Sequence, residues 1–237
     1  PVFKREYSQP TAEADFGDAI PTHQTLLGDD GLDETGYRNS DVQLSSGQLL
    51  DHIRTIQKQQ NLVSSQQLFH GHGAVELDVG METGTGKTFV YTKTMFELNR
   101  RYGWSKFIIV VPSIAIREGV AKSLELTADY FYTSGIDGNQ GYEKKLNWFV
   151  YDSSNLNLLD SYAQNVDISV MIINMQAFNT SRKENGRSKE SRIMFSERDD
   201  FGSRRPVDVI SAVHPIIILD EPQKMGGKAT QHGIDLF

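Results

Sequence analysis

The sequence predicts an α/β fold, in which helices cover both faces of a parallel sheet. The first observation is that short apolar runs alternate along the chain with segments of helical periodicity, which is typical of strand–helix–strand units. The second is that most of these runs are apolar at every position, as in parallel strands buried on both faces. The third is a glycine-rich turn that joins one predicted strand to one predicted helix.

The elements follow in order after residues 1–45, which we expect to form an irregular N-terminal extension because polar residues and glycine dominate them. Apolar residues at helical spacing then predict an amphipathic helix at 46–60. The other elements that the sequence predicts are strands at 74–79, 107–111, 148–151, 168–173 and 215–219, and helices after residue 88, at 114–130 and near 155–163. We expect one domain over 46–237, interrupted by a charged, solvated loop at about 179–206 whose basic residues also allow a position beside a nucleic acid.

Composition narrows the possible functions. The formal net charge of −7 argues against the broadly basic surface of a nonspecific nucleic-acid binder, so any such contact must use a local patch. The chain has no cysteine, which excludes disulfides and thiolate metal sites. No apolar run approaches the roughly 20 residues that span a bilayer. With no signal peptide at its start, the sequence leads us to expect a soluble cytoplasmic protein.

Residues 81–88, Met-Glu-Thr-Gly-Thr-Gly-Lys-Thr, have the pattern of a loop that holds phosphates. Its glycines allow backbone N–H groups to turn inward around phosphate oxygens. Lys87 would bring a positive charge to the β- and γ-phosphates, and the Thr88 hydroxyl would ligate Mg²⁺. The first glycine of the pattern is replaced by Met81, but a plain glycine-rich turn would need neither the lysine nor the hydroxyl. The residues expected to contact the nucleotide phosphates are Thr83, Gly84, Thr85, Gly86, Lys87 and Thr88.

The last predicted strand ends in two carboxylates, Asp220 and Glu221. Ligands of open α/β sheets bind at the carboxyl edge of the strands, so this pair is expected beside the phosphate loop. Asp220 would hold Mg²⁺, and Glu221 would orient or deprotonate the attacking water. Solvated acids at an ordinary strand end are the alternative, which is weakened by the presence of Lys87 and Thr88. Together, the loop and the acidic pair predict an enzyme that hydrolyses its nucleotide.

Three segments resemble motifs I, Ia and II of superfamily 2 helicase-like translocases, namely 81–88, 107–120 and 218–223. The string Val-Pro-Ser-Ile-Ala-Ile-Arg-Glu-Gly-Val, the ending Asp-Glu-Pro-Gln and the segment 171–179 are similar to the restriction (Res) subunit of type III restriction–modification enzymes. The resemblance covers about 74–224. It implies a RecA-like P-loop fold, the first of two such domains, and Met81 in place of the first glycine is common in this group.

The resemblance also implies further site roles. Gln223 would help couple the state of the nucleotide to the nucleic acid or to the partner domain. Pro112, Ser113 and Arg117 would contact the nucleic-acid backbone. A tight strand-to-helix turn capped by Ser113 explains the same residues, and the two interpretations are compatible.

The function that the resemblance implies is that of an ATP-dependent hydrolase. It would be the DNA-dependent ATPase part of a type III restriction endonuclease, coupling ATP hydrolysis to translocation or switching on duplex DNA before cleavage, with the methyltransferase (Mod) subunit as partner. We expect the second RecA-like domain and the nuclease domain to lie outside this chain, so that the chain alone hydrolyses ATP slowly. Two alternatives stay open: a superfamily 2 helicase of another family, acting on DNA or RNA, and a nucleotide-sensing module that does not hydrolyse ATP.

Overall fold

The computed structural model describes residues 23–25, 35–68, 76–133, 141–142, 144–178 and 188–224. The chain divides into two compact units. The described part of the first comprises 41–68 and 76–80, and the described part of the second comprises the rest. Among the described helices, none combines the length and the apolar character that crossing a bilayer requires.

Helix α1, Ser46–Gln59, is the main element of the first unit and lies where the sequence predicts it. Ser45 caps it by accepting a hydrogen bond from the Gln48 N–H, and the Gln48 side chain bonds back to the Ser45 backbone. This reciprocal capping satisfies two N–H groups that would otherwise lack partners at the start of the helix. Leu49 is its buried residue.

The second unit is built on a four-stranded parallel sheet. A separate antiparallel pair, β1 (His23–Thr25) and β2 (Thr35–Tyr37), lies in the predicted irregular extension. The strands of the parallel sheet are β3 (Lys106–Val111), β4 (Leu146–Val150), β5 (Ile168–Asn174) and β6 (Ile216–Leu219). Their order in the sheet is β4-β5-β3-β6. The helices are α2 (Lys87–Tyr102), α3 (Ile114–Thr133), α4 (Asn157–Gln164), α5 (Lys189–Met194) and α6 (Pro206–Ala212).

Both faces of this sheet are covered, because every residue of β3 is buried. One face carries Ile108 and Val110, which belong to a core cluster with Leu159 of α4 and Ile210 of α6. Helices α2 and α3 contact each other and β5. The predicted α/β fold with a parallel, helix-covered sheet is therefore confirmed, and it is consistent with a RecA-like P-loop domain.

Two segments differ from the sequence-based predictions. Residues 76–80 form no strand, and Leu77 and Val79 are exposed. The alternating pattern there is that of a strand, but no described strand pairs with it to satisfy its backbone groups. Within the expected loop, residues 188–206 contain α5, a short 3₁₀ helix and the buried side chains of Met194 and Phe201. These two side chains join the core cluster, which folds this charged segment against the domain.

Asn39, only 2% exposed, joins the start of β3 to His214, two residues before β6. Its side-chain oxygen accepts hydrogen bonds from the N–H groups of Ser105 and Lys106 at 2.8 and 3.0 Å. Its side-chain N–H groups donate to the carbonyls of Lys106 and His214 at 2.8 and 3.0 Å. One amide thus satisfies four backbone groups at the amino edge of the sheet, where the strand ladder cannot.

We expect Asn39→Ala to destabilise the protein by about 3 kcal/mol, because buried backbone donors and acceptors would lose their partners. Denaturant unfolding measures this change. Asn157→Ala is the matched control, since Asn157 is exposed at the start of α4 and should change stability by less than about 0.5 kcal/mol. Equal effects of the two substitutions would contradict the assignment.

Glu97 of α2 gathers three donors. Its carboxylate accepts hydrogen bonds from Tyr142 at 2.6 Å, Arg100 at 2.8 Å and Arg101 at 2.9 Å. Burial raises the pKa of Glu97, but the hydrogen bonds from Tyr142, Arg101 and Arg100 outweigh it and lower the pKa to about 2. The ionised carboxylate is therefore favoured in the folded state.

We expect Glu97→Gln to remove stability that depends on pH. The folded-state pKa lies below the ordinary value of 4.5, so the unfolded chain binds more protons between those two values. The contribution of Glu97 is then full above pH 4.5 and is lost as the pH falls through about 2. Unfolding free energies of wild type and Glu97→Gln should differ most at neutral pH and converge in acid. A difference that stays constant with pH would show that Glu97 acts only through packing.

Candidate functional site

The glycine loop, residues 81–86, leads directly into α2. Gly84 and Gly86 have φ of +80° and +87°, in the left-handed region that favours glycine. A Cβ atom added to either glycine would meet no other atom within 4 Å. The backbone conformation, and not a lack of space, therefore requires glycine at these positions. Thr85 stabilises the turn, because its hydroxyl donates to the Glu82 carbonyl at 2.6 Å. Residues 82–86, including Thr83, are exposed, and the loop ends at the N-terminus of a 16-residue helix, which favours anions.

The acidic pair lies at the carboxyl edge of the sheet. The backbone N–H of Asp220 donates to the carbonyl of Val110 at 3.0 Å, so the ladder between β6 and β3 extends one residue past β6. At Glu221 the chain turns sharply, with φ of +59°. This conformation is strained for a residue with a Cβ, at a cost of about 1–2 kcal/mol. The neighbouring contacts of Glu221 must therefore hold it.

Lys87 and Glu221, 134 residues apart in sequence, meet in an ion pair, with Nζ and Oε1 separated by 2.7 Å. The other carboxylate oxygen of Glu221 accepts a hydrogen bond from Gln223 at 2.6 Å and lies 3.4 Å from the ammonium of Lys224. The structure thus brings together the loop lysine, the second acid and the glutamine that the sequence singled out. It places Asp220 beside them.

The two neighbouring carboxyl groups have pKa values shifted in opposite directions. The hydrogen bond from Lys87 is the main cause that lowers the pKa of Glu221. The same bond raises the pKa of Lys87. Burial raises the pKa of Asp220, and the Glu221 charge raises it further, although Lys87 opposes both. Glu221 is therefore ionised at neutral pH and able to accept hydrogen bonds, while Asp220 is suited to a cation that would compensate its buried charge.

The donor set fits Mg²⁺ held together with a nucleotide. Thr88 offers a hydroxyl and Asp220 a carboxylate, both oxygen ligands of the kind that Mg²⁺ prefers. Within the described ranges, no group of three or more His, Cys, Asp or Glu side chains could hold a metal ion by itself. Mg²⁺ commonly binds through one or two carboxylates, with phosphates and waters completing its shell.

The three residues expected to contact nucleic acid lie at the same edge, immediately after β3. Pro112 follows the strand, and the Ser113 hydroxyl accepts a hydrogen bond from the Ile116 N–H at 3.3 Å. Ser113 therefore caps α3, as the purely structural interpretation predicted. The Arg117 guanidinium pairs with the neighbouring Glu118 at 2.8 Å. Their expected contact with nucleic acid stays a prediction.

Sequence reasoning missed two residues at the site. Lys224 reaches Glu221 because the 3₁₀ turn Pro222–Lys224 brings the third residue after it back toward the carboxylate. Tyr91 lies four residues after Lys87 on α2. In both cases the spacing carried the signal, since residues three or four apart in a helical turn share a face.

Residues 49–234 of this chain match the family described as type III restriction enzyme, res subunit. The chain belongs to this family. The resemblance inferred from the motifs is therefore confirmed.

Curated relatives carry the same description. The chain is 30% identical over 217 residues to the type III restriction-modification enzyme EcoP15I Res subunit of Escherichia coli. It is 28% identical over 212 residues to the EcoPI Res subunit of Escherichia phage P1. These matches cover 84% of the chain and 21% of each relative, so the chain spans about a fifth of their length. The StyLTI Res subunit of Salmonella typhimurium is 33% identical over 167 residues, 62% of the chain and 15% of that protein.

Proposed function

We propose that this chain is the ATP-binding and ATP-hydrolysing motor domain of a type III Res subunit. The observation that carries the proposal is the Lys87–Glu221 contact, which joins the glycine loop to the acidic strand end at the carboxyl edge of the sheet. A plain turn and a solvated strand end would have no reason to meet there. The residues proposed to bind nucleotide are Thr83, Gly84, Thr85, Gly86, Lys87, Thr88 and Gln223, with Thr88 and Asp220 on Mg²⁺.

The proposed mechanism begins with a change of partner at Lys87. The β- and γ-phosphates of ATP would replace Glu221 as the anion beside the ammonium, while backbone N–H groups of the loop bind the phosphate oxygens. Bound Mg²⁺ would neutralise phosphate charge. Release from Lys87 leaves Glu221 as an ionised carboxylate held by Gln223 and Lys224, free to orient the attacking water and accept its proton.

The identity of the relatives supports the wider proposal. Their names place them in restriction-modification enzymes, so we propose duplex DNA as the nucleic acid and the methyltransferase (Mod) subunit as partner. ATP hydrolysis would drive translocation or switching on DNA before cleavage. We propose that 46–237 forms the first RecA-like domain of a cytoplasmic enzyme, and that an arginine from a second domain completes the site. Without that arginine, the chain alone would hydrolyse ATP slowly.

Substitution of Lys87 and Glu221 tests the nucleotide site. We expect Lys87→Ala to weaken binding of a fluorescent ATP analogue at least about 10-fold, because a charge-assisted phosphate contact is lost. Glu221→Gln should bind ATP as tightly as wild type or more tightly, since Lys87 no longer leaves an ion pair. Its single-turnover hydrolysis, measured with protein in excess, should fall at least about 100-fold.

Lys122→Ala is the control for Lys87→Ala, because Lys122 is an exposed lysine of α3 paired with Glu125. It should leave both binding and hydrolysis unchanged. Wild-type hydrolysis by Glu221→Gln would contradict the catalytic role of the acid. Measurable binding without any hydrolysis by the wild-type chain, even with DNA and the rest of the Res subunit present, would instead favour a nucleotide sensor.

Arg117 tests the DNA contact. We expect Arg117→Ala to weaken binding to labelled duplex DNA to a similar degree for all sequences, and to reduce the salt dependence by about one counterion. Fluorescence anisotropy across a series of salt concentrations measures both. Arg205→Ala is the matched control, since Arg205 is likewise an arginine paired with a nearby acid, Asp208. If both variants behave alike, the α3 N-terminus is not the contact.

A further inference from the structure

Tyr91 is a half-buried tyrosine whose hydroxyl oxygen is buried and has no evident structural use. It lies on α2, three residues after Thr88, and therefore on the same side of the helix. The Tyr91 oxygen is inaccessible to solvent and completes no hydrogen bond of good geometry. Buried hydroxyls are ordinarily hydrogen-bonded, so such a group calls for an explanation.

The surroundings of this hydroxyl are the two groups proposed to hold Mg²⁺. Burial is the main cause that raises the pKa of Tyr91. The nearby Thr88 hydroxyl opposes this effect, and the Asp220 carboxylate adds to it. The Tyr91 hydroxyl therefore lies close to the Thr88 side chain without a completed hydrogen bond to it. The Thr88 backbone is already held, because its carbonyl accepts a hydrogen bond from Thr92 at 2.7 Å. The side chain is therefore the part of Thr88 that can still change its orientation.

We propose that Tyr91 is a positioning residue for the Mg²⁺ site, whose hydroxyl donates a hydrogen bond to the Thr88 side-chain oxygen and holds that oxygen toward the cation. This inference rests on the proposed function. A hydroxyl oxygen has two lone pairs, so one can accept from Tyr91 while the other faces the metal. The Thr88 proton is then free for another acceptor, such as the Asp220 carboxylate. Tyr91 would thus act through Thr88 and would not touch the nucleotide.

A purely structural role makes a different prediction. If Tyr91 only filled the core, removing its hydroxyl would leave the Mg²⁺ dependence of nucleotide binding unchanged. Tyr151 offers the matched case, since its hydroxyl is also buried and unpaired among the described residues. It follows β4, two strands away from β3 in the sheet.

The experiment compares Tyr91→Phe with Tyr151→Phe and wild type in the 237-residue chain. Binding of a fluorescent ATP analogue is titrated with Mg²⁺ and, separately, in EDTA. We expect Tyr91→Phe to need about 10-fold more Mg²⁺ for half-maximal tightening, as is typical when a group that orients a metal ligand is lost. Its affinity in EDTA and its melting temperature without nucleotide should match or exceed those of wild type. Tyr151→Phe should titrate as wild type does.

A double-mutant cycle with Thr88→Ala tests whether Tyr91 acts through Thr88, because Tyr91→Phe should then add no further loss. An unchanged Mg²⁺ titration, an equal loss in EDTA, a lowered melting temperature without nucleotide or the same effect from Tyr151→Phe would each overturn the proposal. Lys87→Ala separates this failure from that of the proposed function. If Lys87→Ala abolishes binding while Tyr91→Phe behaves normally, only the role of Tyr91 is wrong.

Discussion

The parallel pairing of β3 with β6 determines where the rest of the site lies. β6 has only four residues, and its register sets Leu219 beside Val110 and ends the apolar run there. A slip of one residue toward the interior would carry the Asp220 carboxylate between buried strands, where an unpaired charge is strongly disfavoured. The first polar residue after the run therefore fixes the register. It also places both carboxylates at the edge where the glycine loop and α2 begin.

The contact between Lys87 and Glu221 is better explained by function than by stability. Both side chains are partly exposed, by 29% and 16%, and such pairs contribute little to the free energy of folding. Glu221 also has a left-handed backbone, which costs energy that a glycine would spare. A strained acid held by a lysine, a glutamine and a second lysine is a costly way to end a strand. It is consistent with the proposed function, in which the ionised carboxylate is kept in one orientation until the phosphates of the nucleotide draw Lys87 away.

The sequence predicted most of the second unit because its strands are continuous apolar runs between helical segments. It also singled out Lys87, Thr88, Asp220 and Glu221 as the proposed site, since these residue types at these spacings have few structural uses. The predictions were wrong where contacts with distant parts of the chain outweigh the local sequence pattern. The alternation at 76–80 suggested a strand, yet pairing depends on a neighbour that local sequence does not reveal. The charged composition of 188–206 hid two apolar side chains that reach the core.

Asn39 illustrates the same limit for a single side chain. It lies in a polar stretch that sequence reasoning treated as irregular, and nothing in its neighbours indicates that its amide satisfies four backbone groups of β3 and the segment before β6. Long-range polar contacts of this kind depend on the assembled fold and leave no periodic trace in the sequence.

The lysines at the two edges of the sheet have pKa values shifted in opposite directions. At the amino end of β3, Lys106 is fully buried and donates to the carbonyls of Tyr162 and Asn165. Burial lowers the pKa of Lys106 to about 7, although Asp167 opposes the shift. At the carboxyl edge, the hydrogen bond from Glu221 raises the pKa of Lys87. Neutral carbonyls compensate a buried charge less than a carboxylate does. At one edge the lysine therefore serves the fold, and at the other it stays charged, as the proposed phosphate binding would require.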